Sequence, residues 1–245
     1  MNPDLLIAIS LLIVGFLYAS VGHGGASGYL AMLSLFAVPV LAYKPMILVL
    51  NMVVAAVGFY QFSRAGYFKW KLLWPFLITS IPLAYIGSSV KLPDGNFNLL
   101  LGLALLLPVI RLLGLGPKES QEQKELKLPV ALLCGVLIGF LSGLLNIGGG
   151  IFLSPLLVIL AWARAKEAAA VSSLFIFFNS LAGLLGTSYS EYAVTNSTNI
   201  WFMAAVAGGT VGAYMGSHRF QQATVRYLLT AVLAIASVKL IFFMP

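Results

Sequence analysis

The sequence predicts an all-α integral membrane protein built from two inverted-topology repeats. Each repeat carries about four crossings, including a short helix, re-entrant or spanning, after a Gly-rich break. Three observations predict this. Of 245 residues, 60% are hydrophobic and only 9% are charged, and the mean hydropathy is +1.00, whereas a soluble domain carries about 25% charged residues. Apolar stretches continue for the length a bilayer requires, about 20 residues for one helix. The landmarks of the first half recur in order in the second.

Taken along the chain, the first apolar stretch is 5–21, entered from Met1-Asn2-Pro3-Asp4 without a basic region or a clear cleavage site. It therefore reads as a retained membrane segment, not a secretory signal. The break Gly22-His23-Gly24-Gly25-Ala26-Ser27-Gly28 follows, then a short stretch 29–42 punctuated by Lys44-Pro45, then 46–62, 72–90 and 97–113. Residues 114–128 are the one strongly polar stretch and read as a cytoplasmic linker between a first membrane repeat, 1–113, and a second, 129–245. The second repeat gives 129–145, the break Gly148-Gly149-Gly150, a short stretch 151–163, and then 168–186, 199–217 and 225–243. A β-barrel would alternate apolar and polar residues; stretches such as Leu99 to Leu107 do not.

The repeat is visible residue by residue. At an offset of 124, Gly15-Phe16-Leu17 falls on Gly139-Phe140-Leu141, and Gly24-Gly25 on Gly148-Gly149. At 128, Asn51 falls on Asn179, Gly58 on Gly186 and Arg111 on Lys239. At 129, Ala84-Tyr85-Ile86-Gly87-Ser88 falls on Ala213-Tyr214-Met215-Gly216-Ser217. Five segments per half, an odd number, place the halves in opposite orientations. About eight full crossings result.

The charge distribution orients the chain. Threading it alternately through the bilayer puts Lys44, Lys91 and Lys239 on one side. The other side receives Arg64, Lys69, Lys71, Arg111, Lys118, Lys124, Lys127, Arg164, Lys166, Arg219 and Arg226. Basic residues favour the cytoplasm, so both termini are expected in the periplasm. The net charge of +7 is thereby explained without nucleic acid. Inverted repeats are a mark of secondary transporters, which bind near the midplane where the repeats meet.

The two glycine breaks are the candidate substrate site. Non-helical backbone at membrane depth survives only inside protein or beside a water-filled cavity, and a helix that starts there offers N–H groups to an anion. Helices are expected to start at Tyr29 and Ile151. The candidate binding residues are Gly22, His23, Gly24, Gly25, Asn51, Asn146, Gly148, Gly149, Gly150, Ser172 and Asn179, with Ser173 beside Ser172. Each has a structural alternative: close helix packing for the glycines, helix stitching for the amides, and a bond to its own helix for serine. His23 is also the candidate for coupling to protons. His218, at a basic loop edge, reads as solvated. Lys44 could draw anions to the outer side, and Cys134, in an apolar stretch, reads as structural.

The acidic residues Asp4, Asp94, Glu119, Glu122, Glu125, Glu167 and Glu191 all lie at termini, loops or segment edges. Cation and proton pumps use buried carboxylates, so a cation antiporter is disfavoured. The chain has no P-loop, HExxH, CxxC or Gly-x-Ser-x-Gly sequence. No catalytic residue, metal or cofactor is expected, and an enzyme is disfavoured.

The chain resembles the TauE/SafE family, the sulfite-exporter-like membrane proteins, over nearly its whole length. The resemblance rests on Val21-Gly22-His23-Gly24-Gly25-Ala26 and Asn146-Ile147-Gly148-Gly149-Gly150, on Ser154-Pro155-Leu156 in the short helix that follows, and on the basic loop after Phe62. The first half departs from the pattern: Ala26 replaces the third glycine, 28–31 lacks the proline, and His23 stands where a small residue is usual. The resemblance implies transport of sulfur-containing anions, sulfite or organosulfonates, across the bacterial inner membrane without ATP.

The expected function is thus a secondary transporter of a small sulfur-containing anion. A passive anion channel and a transporter of a non-sulfur organic anion are the alternatives. The expected partners are the lipid bilayer and the anion, with no nucleic acid, and a homodimer is the assembly to test.

Overall fold

A computed structural model describes residues 3–90, 123–187 and 196–220, with scattered positions within 96–110 and 234–242. Most of the expected segments 97–113 and 225–243, the linker up to 122, and Lys91, Asp94, Arg111, Glu119, Glu122, Glu191, Arg226 and Lys239 lie outside the described residues. The eight continuous elements are all helices: α1 (Pro3–Ser20), α2 (Ala26–Leu35), α3 (Val40–Arg64), α4 (Trp70–Ser89), α5 (Leu128–Leu145), α6 (Gly150–Ile159), α7 (Ala165–Gly186) and α8 (Asn196–His218). Among the described residues there is no strand.

Five helices, α1, α3, α4, α5 and α7, are long and apolar enough to cross a membrane. The chain is a multi-pass membrane protein. Helix α8 has the length, 23 residues, but its polar first turn and its glycines lower its hydropathy. Helices α2 and α6 have 10 residues each, about 15 Å and half of a hydrocarbon core.

Two helix starts differ from the sequence reading. Helix α2 begins at Ala26 and α6 at Gly150, because Gly25 (φ 101°) and Gly149 (φ 74°) turn the chain directly into the helix. The Lys44-Pro45 pair does not separate segments. Pro39 precedes α3, and Pro45 is absorbed six residues into that helix, where few earlier carbonyls lose a partner.

Backbone geometry recurs between the halves. At the 124 offset, Gly22 (φ 78°) pairs with Asn146 (φ 54°), Gly25 with Gly149, and Ala37 (φ 56°) with Ala161 (φ 57°). Each short helix ends in the same way. Val38 N–H donates to Leu33 O and Trp162 N–H to Leu157 O, both at 2.9 Å.

The packing places α3 and α7 side by side at the centre, with α1 against α8 and α4 against α5 on either side. The flanking pairs are parallel and glycine-lined. A Cβ on Gly208, Gly212 or Gly216 would run into the backbone of Leu12, Phe16 or Ser20. One on Gly135, Gly139 or Gly143 would meet Phe76, Ser80 or Ala84. With lipid as apolar as leucine, such small-residue stripes hold helices together by close backbone approach.

Hydrogen bonds align the ends. Asp4 accepts from Ser197 Oγ at 2.8 Å, and Gly186 O from Ser89 Oγ at 3.0 Å. At the opposite end lie Arg64, Lys69, Lys124, Lys127, Arg164 and Lys166. There Lys69 pairs with Glu167 at 2.5 Å, Gln123 Nε2 donates to the same carboxylate, and Lys166 Nζ donates to Ser217 O at 3.1 Å.

Candidate functional site

The two breaks meet at one side chain. Asn51, midway along α3, is buried among apolar residues, where an amide needs partners. Its Oδ1 accepts from Ala26 N–H at 2.9 Å, and its Nδ2 donates to Ser180 Oγ on α7 at 2.8 Å. A Cβ on Gly24 would overlap Asn51, and one on Gly148 would fall 2.5 Å from Asn51 Nδ2 and 2.7 Å from Ser180 Oγ. Gly24, Gly148 and Asn51 are thus brought together, and glycine is required at both breaks because the amide occupies the space. The first N–H of α2 is taken by Asn51.

The second break is paired differently. Phe152 and Leu153 N–H both turn back to Gly149 O. Ser142 and Ser172, both fully buried, have unpaired hydroxyls. Ser142 Cβ would lie 3.0 Å from a Cβ on Gly149, and Ser172 O 3.3 Å from one on Gly150. Ser142 occupies the place that Tyr18 holds in the first half, and Tyr18 is bonded to Ser27 at 3.0 Å.

The remaining candidates are spread out. Asn179 turns toward α4: its Nδ2 donates to Ser80 Oγ at 3.0 Å and to Phe175 O at 2.9 Å, and its buried Oδ1 is unpaired. Ser173 Oγ donates to Gly22 O and Ala169 O, both at 2.8 Å, which ties the first break to α7. Gly22 rests on Ala169, Gly25 on Tyr29 and Gly150 on Ile176. Asn146 ends α5 in left-handed geometry, and its Oδ1 accepts a long 3.5 Å bond from Thr187. Both ring nitrogens of His23 are buried without partners, and its ring centroid lies 6.3 Å from that of Tyr18. His218 bonds Ser217 Oγ at 2.7 Å and stacks on Tyr214. Cys134 faces an apolar groove between α5 and α6.

Sequence reasoning missed Ser142, Ser180 and Ser80. Ser180 adjoins Asn179, but only the crossing of α3 over α7 brings it to Asn51. Ser142 lies in the last turn of α5, seven residues before Gly149, a spacing visible in the sequence.

A bundle of membrane helices with broken segments converging on buried, uncharged polar groups defines a transporter-type membrane protein. The Sulfite exporter TauE/SafE family model matches residues 7–240, and the chain belongs to that family. It is 35% identical over 240 residues to a probable membrane transporter protein of Sinorhizobium fredii, covering 96% of this chain and 97% of the relative. It is 26% identical over 221 residues to a probable membrane transporter protein of Xylella fastidiosa, covering 84% and 80%. A third, from Methanocaldococcus jannaschii, is 28% identical over 132 residues, about half of each chain. No solved structure matches.

Proposed function

We propose that the chain is a secondary transporter of a small sulfur-containing anion, sulfite or an organosulfonate, in the bacterial inner membrane. The observation that carries this reading is the second break. There, the buried hydroxyls of Ser142 and Ser172 have no partner, and both residues abut the start of α6 at Gly149 and Gly150. A helix start that presents free donors favours an anion, and neutral donors discharge a small oxyanion without trapping it in an ion pair.

Two inverted repeats, 1–113 and 129–245, joined by a cytoplasmic linker at 114–128, complete the proposal. In its support, α1 packs on α8 and α5 on α4, the exchange of partners that a twofold relation between the halves requires. The gathering of the basic loops at one end, with Asp4 at the other, accords with periplasmic termini. Asn51, tied to the first break and to α7, lies where one half would rock against the other.

The test is the thermal stability of the purified protein with sulfite, an alkyl sulfonate, sulfate and a carboxylate. A ligand at a hundredfold excess over its Kd stabilises the folded state by about 2.7 kcal/mol. A sulfur anion should raise the midpoint in the parent protein, and Ser142→Ala should reduce the rise. If no anion acts on well-folded protein, the proposal fails.

A further inference from the structure

The two short helices sit differently on their neighbours. In the first half, Gly28 lets α2 close on α1: a Cβ there would lie 2.5 Å from Tyr18 Cε2 and 2.6 Å from Val14 Cγ1. In the second half the corresponding residue is Phe152, and Ser142 replaces Tyr18. Helix α6 meets α5 at Gly149, where Ile138 and Ser142 abut the break. Beyond that point the two helices part. The gap is a groove of about 260 Å³ whose lining includes Cys134, Leu137, Ile138, Ile151, Phe152 and Ile159.

The walls are apolar and the outer rim, Leu137 and Ile159, is exposed, so the groove opens sideways. Its inner end touches the second glycine break through Ile138 and Ile151. Its other end runs toward the basic side of the protein. There Lys124 N–H bonds Ala161 O at 2.8 Å, two residues past Ile159, and Lys127 precedes the first turn of α5. Both lysines are exposed, as are Glu125 between them and Arg164 nearby. The mouth therefore carries a positive excess. A helix, about 10 Å across, is too wide for a groove of this volume, whereas a single hydrocarbon chain fits.

We propose that this groove binds one acyl chain of an anionic phospholipid, with the headgroup held at Lys124 and Lys127 and the chain reaching the second break. The site adjoins the proposed anion site at the break but does not depend on the transport reading. A basic residue near a membrane surface contributes about fivefold in affinity for anionic lipid, so the pair contributes more than tenfold.

The test uses the full-length protein, stripped of lipid in detergent. Phosphatidylglycerol, phosphatidylcholine of the same chains, and chain-free glycerol 3-phosphate are added separately, and bound lipid is counted by native mass spectrometry. Phosphatidylglycerol should bind at least tenfold more tightly than phosphatidylcholine, and glycerol 3-phosphate should not bind. Lys124→Gln with Lys127→Gln should remove the preference, and Cys134→Phe, which fills the groove, should remove the bound lipid. The parent chain provides a readout free of folding artefacts. Cys134 is its sole cysteine, and phosphatidylglycerol should slow its reaction with a membrane-permeant maleimide severalfold. Equal binding of both lipids, binding of glycerol 3-phosphate alone, unchanged Cys134 labelling, or protection of Cys134 only on dimerisation would each overturn the proposal.

Discussion

Asn51 Nδ2 donates a 2.8 Å hydrogen bond to Ser180 Oγ, across 129 residues of sequence. The two residues are 1% and 0% exposed. The same amide accepts from Ala26 at the start of α2. One side chain therefore joins the first glycine break, the long helix α3 and the long helix α7, and it does so with neutral groups where a charge would be costly.

Replacing Asn51 by Leu keeps the volume and removes both bonds. The Ala26 N–H and the Ser180 hydroxyl are then buried unsatisfied, at a cost of about 1–3 kcal/mol each. We expect Asn51→Leu to destabilise the detergent-purified protein by about 2–4 kcal/mol, read as a lower melting midpoint. Ser180→Ala leaves only the Nδ2 donor unpaired and should cost less than half as much. Equal melting of Asn51→Leu and the parent would show that these bonds do not hold the two halves together.

The glycine stripes allow a sharper contrast. At Gly139 a Cβ would fall 2.5 Å from Ser80 Cα, with backbone as the obstacle; at Gly183 it would lie 3.8 Å from Leu48. Gly139→Leu should separate α4 from α5 and abolish monodisperse protein in size-exclusion chromatography. Gly183→Ala should be neutral or gain about 0.5–1 kcal/mol, the usual benefit of alanine over glycine within a helix. Loss of folding in Gly183→Ala would refute the packing described for α7.

How much of this was legible in the sequence varies from residue to residue. The helices were, because unbroken apolar stretches in a poorly charged chain have one outcome in lipid. So was the equivalence of Gly25 and Gly149, which share left-handed backbone. The stripes Gly135-Gly139-Gly143 and Gly208-Gly212-Gly216 were visible as four-residue spacings, but their partners were not, since the pairing of α1 with α8 is a tertiary fact. Asn51 and Asn179 looked interchangeable at the 128 offset. They diverge because Asn51 meets a break and Asn179 meets Ser80, a difference set by which helix crosses where.

Glu167 and Lys69 form an ion pair, yet their removal should not be equivalent. Lys69 is 46% exposed, and a solvent-screened pair contributes about 0–1 kcal/mol. Glu167 additionally accepts from Arg164 N–H at 2.9 Å and from Gln123, so it caps α7 and holds the segment before α5. Lys69→Ala should change stability by under about 0.5 kcal/mol. Glu167→Ala should cost about 1 kcal/mol more, as loss of a helix cap does. A double-mutant cycle measures both, and equal losses from the two single variants would contradict the capping role.

His23 lies inside the first break with both ring nitrogens buried and unpaired, whereas His218 is bonded to Ser217 and stacked on Tyr214. Imidazole titrates in the range where other side chains keep their charge. Burial without a partner disfavours the charged ring, so His23 is neutral around pH 7. Protonating it would add a positive charge next to the break, and anion binding should tighten only in acid, as pH falls below about 5, and weaken as it rises. An alkyl sulfonate is the ligand to use, because it stays ionised throughout that range and leaves the protein as the titrating partner. We expect His23→Gln, which keeps hydrogen bonding but carries no charge, to flatten the pH dependence of binding measured by calorimetry. His218→Gln should leave it unchanged. A His23→Gln profile that matches the parent would remove His23 from any role in coupling anion movement to protons.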